Sequence, residues 1–406
     1  MRRAGRRALP WAVGLWASGV QIQEGLATVG AYTTAALTLV IAWPPRPGRA
    51  WWLLLAFVAA SVVAPLVGGH APTWTALARL ADFLLIPAAA VALSTIERRD
   101  LERIGVAAAV TLLISVALAG VQHFGLWPKR EAFVSLGWTR AGFERVYEPV
   151  PGRTDRFMAG GFLLHRLKFA NVTAVMCVLG TAAVMLGARR ARFFLFATVV
   201  GLVGLWVFPH ARAASVATVL AVAVTWISAA RHRGRAAVGA LLLLGAAAGI
   251  SVAVPSVRAR FITSVTSEGS GEREALTTAG FNAIAHAPLT GVGLGRFRPG
   301  LYLPDDAPAQ ARTHPGKAHD QFVTIAAEAG VPAALLLVFA LVAWLRRGLL
   351  ELPRGALAVG ATTLFILLSV LHDPLFHVES SLALMLALGA GLAAMTQRKG
   401  LVASEP

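Results

Sequence analysis

Residues 317–346 read KAHDQFVTIAAEAGVPAALLLVFALVAWLR, a polar stretch that runs directly into an apolar one. The apolar part is nearly long enough to cross a membrane as a helix, and it is one of twelve such runs. The sequence therefore predicts an all-α polytopic membrane protein with about twelve transmembrane helices, folded as a single membrane domain over residues 1–406. The twelve runs are 9–22, 26–43, 50–68, 74–95, 102–125, 161–187, 192–209, 213–229, 236–254, 331–346, 355–371 and 379–396.

Composition supports the same class. Of the 406 residues, 57% are hydrophobic, which is more apolar surface than a soluble domain buries. The basic start of the chain leads at once into the first apolar run, so we expect a retained span rather than a cleaved signal. The single cysteine, Cys177, lies in an apolar run, which excludes a disulfide within the chain and a cysteine metal site.

The formal net charge of +17 follows the predicted topology. With the N-terminus in the cytoplasm and alternating spans, 20 of the 37 basic residues fall in cytoplasmic segments, beside five acidic residues. The charge therefore indicates membrane orientation, and we expect membrane lipids and no nucleic acid as partners. Two long segments face the outer side, 126–160 and 255–330, and the second carries the opening stretch.

A titratable segment beside membrane spans is a functional-site candidate, and His319 opens this one. On a continuous helix, His319 would share a face with Phe322 and Val323, whereas Glu328 would face away. We therefore expect Glu328 to contact a neighbouring loop or an arginine. Asp320 could face either way, and the simpler reading of His319 is a polar residue at a helix start.

Several cations are predicted near the outer side. Arg212 lies in the turn HARAAS (210–215), and Arg273 precedes a helical run. Arg79 and Asp82 lie on one helix face inside a span, as a functional pair or a structural one. Snorkelling to the interface is the alternative for Arg212.

Arg156 and His165 cluster where the run 161–187 begins, together with Arg166 and Lys168. Anchoring at the membrane interface is the preferred reading of Arg166 and Lys168.

These residue types suit one kind of chemistry. Guanidinium groups pair with phosphate oxygens and keep their charge, and a neutral histidine takes a proton from a sugar hydroxyl. Transfer from a lipid diphosphate would then need no metal, and no metal-binding motif such as HExxH is present. One rival cluster contains His372, Asp373, His377 and Glu379. We expect it to be a capped, solvated turn, and a weak metal site is the alternative. The glycines of GVGLG (291–295) indicate a close turn rather than a nucleotide site.

The motifs APLTGVGLGRF (287–297) and HDQFVTIAAEAGVP (319–332) resemble the C-terminal signature of the O-antigen ligase/polymerase superfamily. HARAAS resembles the arginine element that begins a span in that family. The resemblance implies a GT-C-like fold with a large late periplasmic loop (255–330), a periplasmic segment (126–160), and metal-independent, inverting glycosyl transfer without a cofactor. The implied partners are a glycan donor on undecaprenyl diphosphate and a lipid A-core acceptor, at the bacterial inner membrane.

The same resemblance assigns roles to residues. His319 matches the essential histidine, Arg212 the arginine of the span element, and Arg273 an arginine ahead of the turn. Arg156, His165 and Arg79 are further expected substrate-binding residues, and Asp320, Glu328 and Asp82 are expected to support the site. Asp320 stands where asparagine is usual, and its charge is expected to raise the pKa of His319.

Three alternatives remain. An O-antigen polymerase and a protein O-oligosaccharyltransferase belong to the same superfamily, and product analysis would separate them. A transporter or flippase for lipid-linked glycans is the alternative of another class. It would need polar residues at the middle of the bilayer, whereas the titratable residues here gather towards the outer side.

Overall fold

The computed structural model describes residues 2–42, 49–127, 148–150, 153–253, 258, 267–314 and 316–396. In these ranges the regular structure is helical. The α-helices are α1 (Arg2–Gly19), α2 (Glu24–Ala42), α3 (Arg49–Val67), α4 (Trp74–Asp82), α5 (Leu85–Thr95), α6 (Arg98–His123), α7 (Arg166–Met185), α8 (Ala191–Val207), α9 (Arg212–Ala229), α10 (Arg233–Ala253), α11 (Ser267–His286), α12 (Ala309–Arg312), α13 (Gln321–Ala329), α14 (Val331–Leu350), α15 (Ala356–Leu371) and α16 (Val378–Thr396).

Nine candidate membrane spans occur among the described residues, with α4 and α5 counted together as one. Helices α8 and α15 are apolar but shorter. Helix α1 carries four arginines and is not among the nine. The expectation of an all-α multi-pass membrane protein is thus confirmed, whereas the count of twelve spans and the membrane side of each loop stay predictions.

The run 74–95, expected as one helix, is broken between Asp82 and Leu85. Pro87 follows the break and has no N–H, so a continuous helix would leave the carbonyl of Phe83 without its usual donor. That carbonyl accepts from the N–H of Ile86 instead, at 3.3 Å. The break between α4 and α5 therefore follows from one proline.

The helices around α16 form the core, and this helix is the most buried of the candidate spans. Glycine at 389 lets α16 approach α5, because a Cβ there would clash with Ala89 and with the Ile86 carbonyl. Gly391 does the same against Ala358 of α15. Small residues at helix contacts are the usual means of close packing in membranes, so these glycines let α16 pack closely against α5 and α15.

The turn at 287–297 wraps the junction between α13 and α14. Its N–H groups at Val292 and Gly293 donate to the carbonyls of Ala327 and Glu328, at 2.8 and 3.1 Å. The N–H of Val331 donates to the carbonyl of Pro288 at 2.9 Å. Because Gly291, Gly293 and Gly295 all have positive φ, the glycines do form the close turn that the sequence indicates. The two motifs are therefore one structural unit.

The start of α13 corrects one expectation. Asp320 caps the helix, and its Oδ1 accepts from the N–H groups of Phe322 and Val323 at 2.9 and 3.1 Å. His319 precedes the cap with φ 57°, in the left-handed region. The predicted continuous helix from His319 is therefore wrong, because the carboxylate of Asp320 satisfies the first free N–H groups and the helix begins two residues later, at Gln321.

The junction can be tested at Gly330, which has φ 85° and would place a Cβ against the carbonyl of Leu289. We expect Gly330→Ala to destabilise the protein by at least about 1 kcal/mol and to lower its melting temperature in detergent. Gly249→Ala in α10 is the matched control, because a Cβ there meets nothing within 4 Å. Equal melting of both variants and the wild type would contradict this role of Gly330.

Candidate functional site

The hydroxyl of Thr324 links the three chain segments that meet at His319. It accepts a hydrogen bond from the N–H of Ala318 at 3.0 Å and donates one to Oδ1 of Asp373 at 2.7 Å. A second link lies one turn earlier, where Oε1 of Gln321 accepts from the N–H of Leu375 at 3.3 Å. Helix α13 is thereby bound both to the loop before it and to the turn between α15 and α16.

His319 lies against His372, which follows the last residue of α15. Their Nδ1 atoms are 3.4 Å apart, and the rings stack with centroids 5.5 Å apart. One of these nitrogens must carry the proton while the other presents its lone pair, so the tautomers of the two neutral rings are complementary. His372 can therefore orient the His319 ring.

Further histidines continue this contact in both directions. The ring of His314 lies 5.3 Å from that of His319, and the ring of His377 lies 6.4 Å from that of His372. His165, an expected substrate-binding residue, lies 4.9 Å from His377. Five imidazoles from three parts of the chain thus form one row. The sequence predicts two of them, His319 and His165, as site residues.

Burial keeps His319 uncharged. Burial is the main cause that lowers its pKa, to about 3, and the charges of Lys317 and Arg273 lower it further. The expectation that Asp320 raises this pKa is wrong, because the carboxylate of Asp320 caps α13 instead. At neutral pH the imidazole is thus available as a base.

A small cavity of about 70 Å³ lies beside this row. Arg79 and Lys317 flank the ring of Phe376 there, with Cζ and Nζ at 4.5 and 4.8 Å from its centroid. Burial lowers the pKa of Lys317, while the charge of Asp373 opposes that shift. The cavity lining thus places these two cations beside the carboxyl groups of Glu328 and Asp373.

Glu328 lines the same cavity. Its carboxylate accepts from the N–H groups of Gly295 and Phe297 and faces the charge of Arg79, while burial raises its pKa to about 7. These are the loop and arginine contacts that the sequence predicts for Glu328.

The turn at 372–379 is buried, so its expected description as solvated charge is wrong. His372, Asp373 and Glu379 are 6%, 1% and 4% exposed. Helix α13 covers the turn through its bonds to Asp373 and Leu375, a packing that hydropathy does not reveal. Burial raises the pKa of Asp373 to about 6. The ligand atoms of His319, His372 and Asp373 lie within 4.8 Å of one another, which is close enough to share a metal ion.

Two cations expected to anchor at the interface form ion pairs. Lys168 pairs with Glu379 at 2.9 Å, and Arg166 pairs with Glu148 at 2.8 Å. Asp82, expected beside Arg79, accepts from the hydroxyls of Tyr32 and Ser381 at 3.2 and 2.8 Å.

Three further arginines are predicted to bind substrate, and the structure places them in different surroundings. Arg273 is an exposed residue of α11 whose charge acts on His319. Arg156 pairs with Asp155 at 2.8 Å, and its guanidinium lies 4.6 Å from the ring centroid of Phe124. Arg212 begins α9, next to the buried His210. The roles of these three arginines in binding stay predictions.

A larger cleft of about 1000 Å³ lies at the N-terminal end of α6, beside Arg98 and Glu102. Its walls are mostly apolar, and its charged residues are bound to backbone groups: Arg98 donates to the carbonyl of Gly187, and Glu102 accepts from the N–H of Arg189. We therefore assign the chemistry to the smaller cavity, which gathers the titratable side chains.

These features define a multi-pass α-helical membrane protein with a neutral histidine and several cations at the ends of its helices. Comparison with known families specifies it further. Residues 170–338 match the family model described as O-antigen ligase, which confirms the resemblance seen in the sequence. The match spans HARAAS, the glycine turn and α13, and it indicates a membrane glycosyltransferase of the ligase/polymerase type. No curated protein matched the chain.

The charge state of His319 can be measured by NMR of histidine-labelled protein, with the signal assigned by His319→Gln. We expect a neutral ring at pH 5, since its pKa is about 3. Because this pKa lies below the ordinary value of 6.5, the contribution of His319 to stability is complete above pH 6.5 and is lost as the pH falls towards 3.

Lys317→Met should raise the pKa of His319, because it removes a cation that acts on the ring. Lys168→Met is the matched control, since the charge of Lys168 acts on His377. An ordinary pKa for His319 in the wild type would contradict this environment.

Proposed function

We propose that this protein is an O-antigen ligase that transfers a polysaccharide from undecaprenyl diphosphate to a sugar hydroxyl of lipid A-core. The observation that carries the proposal is the neutral His319, held against His372 within a set of cations that includes Lys317 and Arg273. A neutral base and fixed positive charges are the two requirements of this transfer when no metal takes part.

His319 would act as the general base. Its neutral ring accepts the proton of the acceptor hydroxyl as the oxygen attacks the anomeric carbon of the donor sugar. The bond between that carbon and the diphosphate oxygen breaks on the opposite face, so the configuration inverts and undecaprenyl diphosphate leaves. His372 would hold the ring in the required orientation through the Nδ1 contact.

The cations would stabilise the leaving group. A diphosphate leaves with its negative charge and needs charge stabilisation more than a proton. Lys317 and Arg79 line or flank the cavity and Arg273 acts on His319 from α11, so these three are the proposed diphosphate contacts. Arg212, Arg156 and His165 are proposed to guide the donor towards them, and Asp320, Glu328 and Asp82 to support the surrounding backbone and helices.

The site would face the periplasm from the bacterial inner membrane. The site residues lie in α4, where α15 ends and where α16 begins, whereas the arginine-rich turns after α5, α7 and α14 lie at the other ends of their helices. A basic turn is typical of the cytoplasmic side, which supports a periplasmic position for His319.

A polymerase or a protein O-oligosaccharyltransferase would use the same base and leaving group, so the product decides among them. Polysaccharide on lipid A-core supports the ligase, longer chains on undecaprenyl diphosphate support a polymerase, and glycan on protein supports the third. A flippase would move the lipid-linked glycan between leaflets of vesicles without glycan transfer.

The role of His319 is tested with purified protein, a lipid-linked glycan and lipid A-core in EDTA. We expect His319→Ala to lower the transfer rate by at least about 100-fold, because it removes the general base. His232→Ala, at an exposed histidine in the turn before α10, should keep wild-type activity. Full activity of His319→Ala would refute the role, and a strict metal requirement of the wild type would refute the mechanism.

The roles of Arg273 and Lys317 are tested by the kinetics of the donor. Arg273→Gln and Lys317→Met should each lower kcat/KM for the donor about 10- to 100-fold, since each removes a charged contact to the diphosphate. Arg103→Gln is the control, because Arg103 lies in a mostly exposed pair with Asp100. Unchanged donor kinetics in both test variants would exclude these two residues as the clamp.

A further inference from the structure

The contact between His319 and His372 has the dimensions of a metal site. When two nitrogens bind the same tetrahedral zinc ion, each at about 2.1 Å, the nitrogens lie about 3.4 Å from each other. The two Nδ1 atoms are 3.4 Å apart. An ion between them would replace the single proton that the two rings otherwise share.

Asp373 supplies a third ligand. Its carboxylate is 1% exposed, and Oδ2 is buried without a hydrogen-bond partner. Oδ1 accepts from the hydroxyl of Thr324, which holds the carboxylate beside the two rings. Ligand atoms of all three residues lie within 4.8 Å of one another. Movement of the carboxylate towards the two rings would complete a His–His–Asp set with a fourth position left for water.

We infer that His319, His372 and Asp373 bind a divalent transition metal of the zinc class and that this ion inhibits the enzyme. The inhibitory part rests on the proposed function of His319. A neutral imidazole has one N–H and one lone pair. An ion on Nδ1 takes the lone pair and leaves the proton on Nε2, so neither nitrogen can accept the proton of a hydroxyl.

Two cations oppose the ion and limit its affinity. The charges of Lys317 and Arg273 both act on His319 and His372, and they repel a divalent cation by the same interaction. The site is therefore a reversible one, weaker than a structural zinc site. Removing the charge of Lys317 should strengthen metal binding, although it weakens binding of a diphosphate.

The experiment uses the full-length protein in detergent, purified without a histidine tag and titrated with Co²⁺ and Zn²⁺. We expect one Co²⁺ per chain, with the visible absorption of a tetrahedral site, and displacement by Zn²⁺. His372→Ala and Asp373→Asn should lose this absorption, and Thr324→Val should weaken binding about 10- to 100-fold because it frees the Asp373 carboxylate. Lys317→Met should bind more tightly, and His286→Ala, at an exposed histidine, should bind like the wild type.

Binding without a tetrahedral spectrum, or equal binding by the wild type, His372→Ala and Asp373→Asn, would overturn the site. Melting temperatures of the variants separate loss of a ligand from loss of the fold. In the transfer assay Zn²⁺ should inhibit and excess EDTA should restore the rate, and full activity with the site saturated would overturn the inhibitory role. The metal titration needs no glycan, so a wrong assignment of the reaction leaves the test of the site intact.

Discussion

A single hydroxyl group organises the site. Thr324 accepts from the backbone before His319 and donates to the carboxylate of Asp373, so its position determines how α13 meets the turn after α15. The left-handed conformation of His319 depends on this arrangement, because a non-glycine residue adopts it only where the surrounding structure favours it. The glycine turn at 291–295 supports the other end of the same helix. Together they hold a short helix, with polar contacts at both ends, against a bundle of apolar ones.

Burial shifts the pKa values of the bases and of the acids of the site in opposite directions. It lowers the pKa of His319 and raises those of Asp373 and Glu328. Lys317 remains beside Asp373, whose charge opposes the loss of its proton. The result is a neutral base close to a cation, which is an arrangement for attack by a hydroxyl and departure of an anion. Transfer and metal binding would then compete for the same imidazole nitrogen.

Much of the fold could be predicted from hydropathy, because apolar runs of span length indicate helices whatever they pack against. The glycine turn could also be predicted, since it depends on local geometry. Helical periodicity places Glu328 on the face away from His319, which is why its contact with a loop and an arginine could be expected. The burial of His372 and Asp373 could not be predicted, because it is caused by α13, about 50 residues away in the sequence. In the sequence, only the clustering of histidines and acidic residues indicates that His372 and Asp373 could form a site. The cap by Asp320 could not be predicted either, because helical periodicity does not show at which residue a helix begins. Arg212 illustrates the remaining limit, since a motif match assigns it a role without giving the position of its side chain.

A structure of the protein with undecaprenyl diphosphate bound is the most direct measurement of this account. We expect the diphosphate to lie against Lys317 and Arg273, with the anomeric carbon of the donor sugar within reach of a hydroxyl held at His319. A diphosphate in the larger apolar cleft beside Arg98, or an imidazole of His319 turned away from the bound lipid, would contradict it.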